Sequence, residues 1–306
     1  MKASELKDII DIPLEELLVK ATEARKQGIG NNIEVCGIIN AKSGACSEDC
    51  KFCAQSAHYS TDILKYPLRS FDKIIESARE AKANGSDKFG IVTSGNRLVD
   101  KEIDVIADAI NVISQEIGIS PCASLGALDE SSFIKLKDAG LTRYHHNIET
   151  SARFYSEIVS THDYSERINT VKAARKLGLE VCSGGILGLG ETWQDRIDMA
   201  LLLKDLEVDS VPLNFLVPIP GTPLEGTPKI SPIDAIRTIA LFRIVLKDKP
   251  IKVVAGRESL LKDYQAMIFS AGANGMLVGG YLTISGRSVE EDSALLEAVR
   301  SSWSIN

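Results

Sequence analysis

The stretch Ser70-Phe71-Asp72-Lys73-Ile74-Ile75-Glu76-Ser77-Ala78-Arg79-Glu80-Ala81-Lys82-Ala83-Asn84-Gly85-Ser86-Asp87-Lys88-Phe89-Gly90-Ile91-Val92 holds a helix, a stop and a strand in sequence. Ser70 is an N-cap. Ile74, Ile75, Ala78 and Ala81 follow at the spacing of one helix face, and Gly85 ends the helix. Residues 88–92 then read as a short apolar strand. The unit recurs. Helices at 101–117, 130–139, 165–177, 192–206, 231–246 and 258–271 alternate with strands at 121–125, 142–148, 180–183, 210–216, 251–255 and 275–278. In front stand a strand at 33–39 and a leading helix at 11–28, with Pro13 in its first turn. Ser231-Pro232-Ile233-Asp234 opens its helix with a cap, a proline at the first position and an acid at the third.

Eight strands, mostly continuous apolar runs, alternate with helices, which is the pattern of a parallel sheet covered on both faces. Eight is also the count for a closed (β/α)8 barrel of the TIM type, an α/β fold. An open doubly wound sheet is the alternative. No Gly-x-Gly-x-x-Gly follows the first strand, and Gly188-Leu189-Gly190 is only a weak pair of glycines. With no long linker, repeat or low-complexity segment, residues 1–306 read as a single domain. It carries an N-terminal helical extension at 1–30 and a C-terminal tail at 283–306, with a last helix near 288–299.

A net charge of -7 without a basic run argues against nucleic acid or an anionic membrane as the main partner. Residues 1–12 are polar and charged, so no secretory leader is expected. No apolar run approaches the roughly 18 residues of a spanning helix. The expected location is the cytoplasm, where six cysteines are metal ligands or core residues rather than disulfides.

Three of those cysteines, Cys46, Cys50 and Cys53, share one polar loop with the spacing Cys-x3-Cys-x2-Cys. A structural zinc takes four ligands, and so does a cubane cluster that only carries electrons. Three thiolates leave one iron open to a ligand that is not protein, which makes the loop a site for chemistry. The other three fall on strands: Cys36 on the first, Cys122 on the third and Cys182 on the fifth. Alternate strands of a barrel feed one interior layer, and Arg257 lies just past the seventh strand, the fourth of that set. One strand cysteine alone is a small buried hydrophobe. Three on alternate strands predict a second metal–sulfur centre inside the barrel. His145 and His146 are adjacent, so at most one faces the interior. His58 and His162 read as loop residues, Glu48 and Asp49 as backbone caps rather than a reductase-docking surface, and Pro218 to Pro223 as a rigid loop.

The cysteine loop resembles that of the radical S-adenosylmethionine enzymes. The longer string Gly44-Ala45-Cys46-Ser47-Glu48-Asp49-Cys50-Lys51-Phe52-Cys53-Ala54-Gln55-Ser56 is similar to the biotin synthase family in particular. Residues 144–151, 182–192, 214–224, 255–258 and 271–274 extend the likeness. It implies a [4Fe–4S] cluster on Cys46, Cys50 and Cys53, with S-adenosylmethionine chelated at the fourth iron and cleaved by one electron to a 5′-deoxyadenosyl radical. It also implies that catalysis is borne by cofactors and that no side chain is itself the catalyst. By the same likeness Tyr59 flanks the adenine, and Asn147 and Glu149 surround the ribose and substrate, Glu149 standing where the family usually has Asp. Arg167 pairs with the methionyl carboxylate, Gly184, Gly185 and Leu189 line the cofactor, and Asn214 meets a ureido ring.

The implied reaction is sulfur insertion, converting dethiobiotin to biotin with sulfide from an auxiliary cluster. The family's [2Fe–2S] cluster uses cysteines on strands two, three and five and an arginine on strand seven. Cys122, Cys182 and Arg257 match, but strand two has none, and Cys36 is expected to replace it. The cluster is then [2Fe–2S] or a larger one with an extra sulfide. A flavodoxin or ferredoxin is the implied electron donor, and the family is often dimeric. Three enzymatic or carrier alternatives stand beside this: sulfur insertion into an octanoyl chain, maturase or methylornithine-type chemistry without sulfur insertion, and a non-enzymatic iron–sulfur carrier.

Overall fold

The computed structural model describes residues 3–284 and 286–304. Its strands are β1 Glu34–Lys42, β2 Lys88–Thr93, β3 Ser120–Ser124, β4 Arg143–His145, β5 Glu180–Cys182, β6 Gly185–Leu187, β7 Val211–Phe215, β8 Ile251–Val253 and β9 Gly275–Leu277. All pair in parallel, in the order β5-β4-β3-β2-β1-β9-β8-β7-β6. The two ends of this sheet, β5 and β6, are halves of one extended segment, parted only at Ser183-Gly184. Bridges from Cys182 to Ser210 and from Glu149 to Gly185 join each half to the neighbour it otherwise lacks. The sheet therefore returns on itself with eight strand positions, as the sequence predicts.

The helices are α1 Ala3–Ile10, α2 Leu14–Gly28, α3 Phe71–Ala83, α4 Asp100–Val112, α5 Glu130–Asp138, α6 Ala152–Tyr155, α7 Tyr164–Lys176, α8 Trp193–Asp205, α9 Pro232–Leu246, α10 Arg257–Leu261, α11 Met267–Ser270 and α12 Val289–Ser304. The Ser70 hydroxyl accepts from the Lys73 amide, and Ile74, Ile75, Ala78 and Ala81 are the buried face of α3, as the opening stretch predicts. The leading helix expected at 11–28 is α2, which starts just after Pro13, and a further helix, α1, precedes it. One expectation changes. The helix expected at 258–271 is broken into α10, a 3₁₀ turn at Lys262–Tyr264 and α11.

The barrel's interior is set by strand alternation. In β1, Val35, Gly37, Ile39 and Ala41 are buried against the helices, while Glu34, Cys36, Ile38, Asn40 and Lys42 are less buried. β2 and β3 repeat this, with Lys88, Gly90, Val92 and Ser120, Cys122, Ser124 as the less buried sets. A TIM-type interior is normally filled by bulky side chains. Here several inward positions are small, among them Cys36, Gly90, Cys122 and Cys182, and a cavity of about 410 Å³ remains, lined also by Ile38, Val92, Asn214 and others.

Candidate active site

Two chambers meet inside the barrel. The outer one, of about 170 Å³, is lined by Cys46, Cys50 and Cys53 together with Asn147, Glu149, His162 and Arg167. The inner one is the 410 Å³ cavity, whose lining includes Cys36, Cys122 and Cys182. Phe52, Cys53, Gln55, Thr93, Ser124, His145, Asn147 and Glu149 line both, so the chambers share a wall.

The cysteine loop leaves the C-terminal end of β1 and is folded by its own backbone. The Cys46 amide donates to the Gln55 carbonyl at 3.0 Å, the Ala57 amide to the Cys46 carbonyl at 2.7 Å, and the Cys53 amide to the Cys50 carbonyl at 2.9 Å. Burial pushes the Cys50 thiol up to about 12 and Cys53 up to about 11, although Arg167 works against this at Cys50. Bare, these two thiols are held neutral, and a cationic cluster core bound there would displace their protons. Asp49 caps backbone, as the sequence reading expects, whereas Glu48 bonds to the Ser47 hydroxyl and the His162 imidazole and caps no backbone amide among the described residues. Asp49 accepts from the Ser160 and Thr161 amides at 2.9 and 3.1 Å, which with their hydroxyls holds its carboxyl well below the ordinary range despite some burial.

Arg167 on α7 is pinned on three sides. It donates from Nε to the Tyr155 hydroxyl at 2.7 Å, from Nη1 to the Asn147 carbonyl at 3.1 Å, and its Nη2 lies 3.1 Å from His162 Nε2. Glu149 is 3.6 Å from Nη1. Glu149 itself sits in the left-handed region at φ 67°, a conformation costly for a residue with a side chain and concentrated at functional sites. Its carbonyl accepts from the Ile186 amide at 2.9 Å, so the strained residue is also a closure point of the barrel. Asn147 joins the two features, donating to Glu149 at 3.3 Å and accepting from the Gly184 amide at 3.1 Å.

The three strand cysteines do come together, over a floor of charge. Lys252 of β8 places Nζ 3.3 Å from Cys36 Sγ and pairs with Glu34. Arg143 of β4 donates to Glu34 at 2.6 Å and to Glu180 at 2.8 Å. Burial pushes the Cys122 thiol up to about 12 and raises Cys36 as well. Burial also opposes ionisation of Cys182, but Lys252, His145 and Arg143 outweigh it and bring that thiol down to about 6. Glu34 feels the same balance: burial against it, Lys252 and Arg143 for it, with the carboxyl held at about 2. Among the described residues, no three Cys, His, Asp or Glu side chains close round a point that could hold one metal ion. Cys36, Cys122 and Cys182 line one cavity together with the cations Arg143 and Lys252.

The structure corrects the expectation for Arg257. That residue is fully buried at the start of α10 and points away from the thiols. It donates to Asp292 of α12 at 2.8 Å, to Glu258 at 3.1 Å and to Gln265. The cation facing the cysteines from this strand is Lys252, five residues earlier. Tyr59, Gly184, Gly185 and Leu189 do not line either chamber. Tyr59 donates to the Asp49 carbonyl, within the cysteine loop. Leu189 packs with Cys50, Tyr155, Ile158, Val159 and Leu216 beneath that loop. The two glycines give backbone clearance, since a Cβ on Gly184 would stand 1.9 Å from the Pro212 carbonyl oxygen and one on Gly185 2.1 Å from that of Glu149. Asn214 lines the inner chamber and bridges strands, donating to the Gly185 carbonyl and accepting from the Ala255 amide, each at 3.2 Å.

Sequence reading missed Phe52, which touches both chambers, and the cations Arg143 and Lys252. Period two was the available signal for Lys252, because residues 252 and 254 share the inward face of their strand, and both line the cavity. His162 lies in the loop before α7, as read, and its side chain lines the outer chamber.

Comparison with known proteins agrees with this arrangement. Residues 41–203 match the radical SAM superfamily, and residues 212–299 match the biotin and thiamin synthesis associated domain. The biotin synthase of Thermotoga petrophila is 50% identical over 296 residues, 96% of this chain and 98% of that protein. That of Thermotoga neapolitana is 51% identical over 271 residues, 88% of this chain and 97% of that one. Among solved structures, a methylornithine synthase superposes with a TM-score of 0.83 at 20% identity, covering 97% of this chain and 92% of that one, which is a likeness of fold alone. The chain belongs to the radical S-adenosylmethionine superfamily and, within it, to the biotin synthase family.

Proposed function

We propose that this protein inserts sulfur into dethiobiotin to form biotin, using two iron–sulfur centres, one per chamber. The observation that carries this is the joint presence of two thiol triads on either side of a shared wall. A family member without sulfur insertion needs only the loop triad. When bound, the loop cluster and S-adenosylmethionine supply the deoxyadenosyl radical, and the auxiliary cluster supplies the sulfur.

The chain's own part is to bind, orient and exclude water. Cys46, Cys50 and Cys53 are proposed to hold the [4Fe–4S] cluster, with Arg167 meeting the methionyl carboxylate and Asn147 and Glu149 the ribose. Phe52, Tyr59, Gly184, Gly185 and Leu189 support this site through packing and backbone shape. Cys36, Cys122 and Cys182 are proposed to hold the auxiliary cluster. Lys252 and Arg143 supply cations that offset the charge of thiolates and sulfides. With Cys36 as the third thiol and no arginine ligand, a core larger than [2Fe–2S] fits better. The remaining inner wall is mostly apolar, with Ile38, Val92, Ile186, Phe215, Leu216, Val254 and Leu277, which suits an alkyl-chain substrate, while Asn214 offers an amide to a ureido group.

An electron donor such as flavodoxin or ferredoxin would reach the loop cluster from outside. The segments 41–203 and 212–299 contribute strands to one sheet, which supports reading 1–306 as a single domain. No helix among the described residues is long and apolar enough to cross a membrane, and a cytoplasmic location and a homodimer are proposed from the family. The test is an anaerobic reaction with dithionite, S-adenosylmethionine and dethiobiotin, followed by mass analysis. Biotin with 5′-deoxyadenosine is the expected result. Deoxyadenosine alone would reject the substrate.

A further inference from the structure

The loop between α6 and α7 is clasped by the cysteine loop. The Lys51 amide donates to the Ile158 carbonyl at 2.9 Å, and the Asp49 carboxylate receives the Ser160 and Thr161 amides. The clasp ends on His162. Its Nδ1 lies 2.9 Å from Glu48 Oε2, and its Nε2 lies 3.1 Å from Arg167 Nη2. Glu48 stands between Cys46 and Cys50, and the His162 side chain is 5% exposed.

The chemistry of the partners fixes the imidazole. A guanidinium nitrogen can only donate, so Nε2 accepts, and the single ring proton sits on Nδ1, facing a carboxylate that can only accept. The result is a directed chain from Arg167 through His162 to Glu48. Arg167 has Nε on Tyr155 and Nη1 on Asn147, so His162 supplies the third anchor, at Nη2.

We infer that His162 is a positioning residue that locks Arg167 to the cysteine loop, so that the loop cluster and the cofactor's carboxylate are held in one frame. This rests on the reading of Arg167 as the carboxylate contact. Partners behind a metal or cofactor ligand typically cost about 10–100-fold when removed. His162→Ala removes the acceptor of Nη2 and leaves Glu48 with the Ser47 hydroxyl at 3.0 Å in place of the imidazole. His162→Gln offers one amide N–H to Glu48 and one carbonyl to Arg167, and so keeps the chain.

Two measurements test this. In the reconstituted, dithionite-reduced holoenzyme, the change in the cluster's paramagnetic resonance spectrum is titrated with S-adenosylmethionine. His162→Ala is expected to raise the half-saturating concentration about tenfold with iron content unchanged, and His162→Gln to restore it. In the metal-free chain, amide exchange across residues 45–59 is expected to quicken in His162→Ala and not in His162→Gln. If the unsubstituted enzyme shows no spectral response to S-adenosylmethionine, the reading of the outer chamber fails, and the exchange measurement still decides the link. If that response is normal and His162→Ala matches the unsubstituted protein in half-saturation and exchange, the inference is overturned. Should His162→Ala fail to hold its cluster, quickened exchange confined to the clasp supports the link and unchanged exchange refutes it.

Discussion

Lys252 shows how a single charge organises the inner chamber. Burial opposes its protonation, but Cys36, Cys182 and Glu34 outweigh burial and hold the ammonium's pKa above its ordinary value. Lys252 donates to Cys36 Sγ and stands as a counter-charge beside the strand thiols. Lys252→Met should therefore lower the iron content towards the roughly four irons of one cubane and abolish biotin formation, while S-adenosylmethionine cleavage continues. Arg257→Met should do the reverse. It takes the 2.8 Å partner from buried Asp292, leaving only Arg287 at 4.0 Å, and costs about 3 kcal/mol of stability. The folded fraction should keep its full iron content. Equal loss of auxiliary iron in both variants would reject the assignment.

Glu34 gives a pH signature at the same scale. Its folded pKa of about 2 lies below the ordinary value, so its contribution to stability is complete above about pH 4.5 and is lost as the pH falls towards 2. Urea midpoints of the metal-free protein should differ between the natural chain and Glu34→Gln at pH 6 or so, with the gap closing on acidification. A gap independent of pH would deny the ion pairs their role. The floor was poorly legible beforehand because Glu34, Arg143 and Lys252 are far apart in sequence and each resembles a solvated charge. Only closure of the barrel brings β1, β4 and β8 round to one point.

Secondary-structure elements were the most legible level. Caps and glycine stops, such as Ser70 and Gly85 round α3, act within a few residues, so the sequence shows them directly. What it concealed is the break at Ser183-Gly184, where one strand position serves two neighbours. That break depends on backbone-to-backbone approach, which composition does not display. Gly184→Ala should be severely destabilising, by about 3 kcal/mol or more, because its Cβ would overlap the Pro212 carbonyl and the backbone cannot yield cheaply. Gly85→Ala meets nothing within 4 Å and bears only the strain of its φ of 77°, about 1 kcal/mol. Thermal unfolding of the two variants separates these effects. Similar shifts would show that closure at Gly184 tolerates a side chain. The fragmentation at 257–271 also escaped the pattern, since Lys262 adopts a positive φ of 45° that helical spacing cannot reveal.

For the whole molecule, the decisive departure from an ordinary barrel is an interior left open. Cys36, Gly90, Cys122, Cys182 and Asn214 take places that bulky residues normally fill, so the core shifts outward to the layer between strands and helices. Gly90 stands in register with Cys122 on one side and Ile38 on the other, on the strand that lacks a cysteine. The third thiol comes from Cys36 on β1 instead. The thiol set was readable from strand parity alone; the placement of its cation was not, because Arg257 follows the strand that Lys252 occupies.

On the proposed function, a cluster held by the strand thiols supplies the sulfur that enters the product. The most direct measurement rebuilds both clusters anaerobically with isotopically heavy sulfide, removes the excess, and weighs the biotin from a single turnover. Heavy biotin is expected from the natural chain. Cys36→Ala should give 5′-deoxyadenosine without biotin. Light biotin from the natural chain, or heavy biotin from Cys36→Ala, would contradict the proposed function.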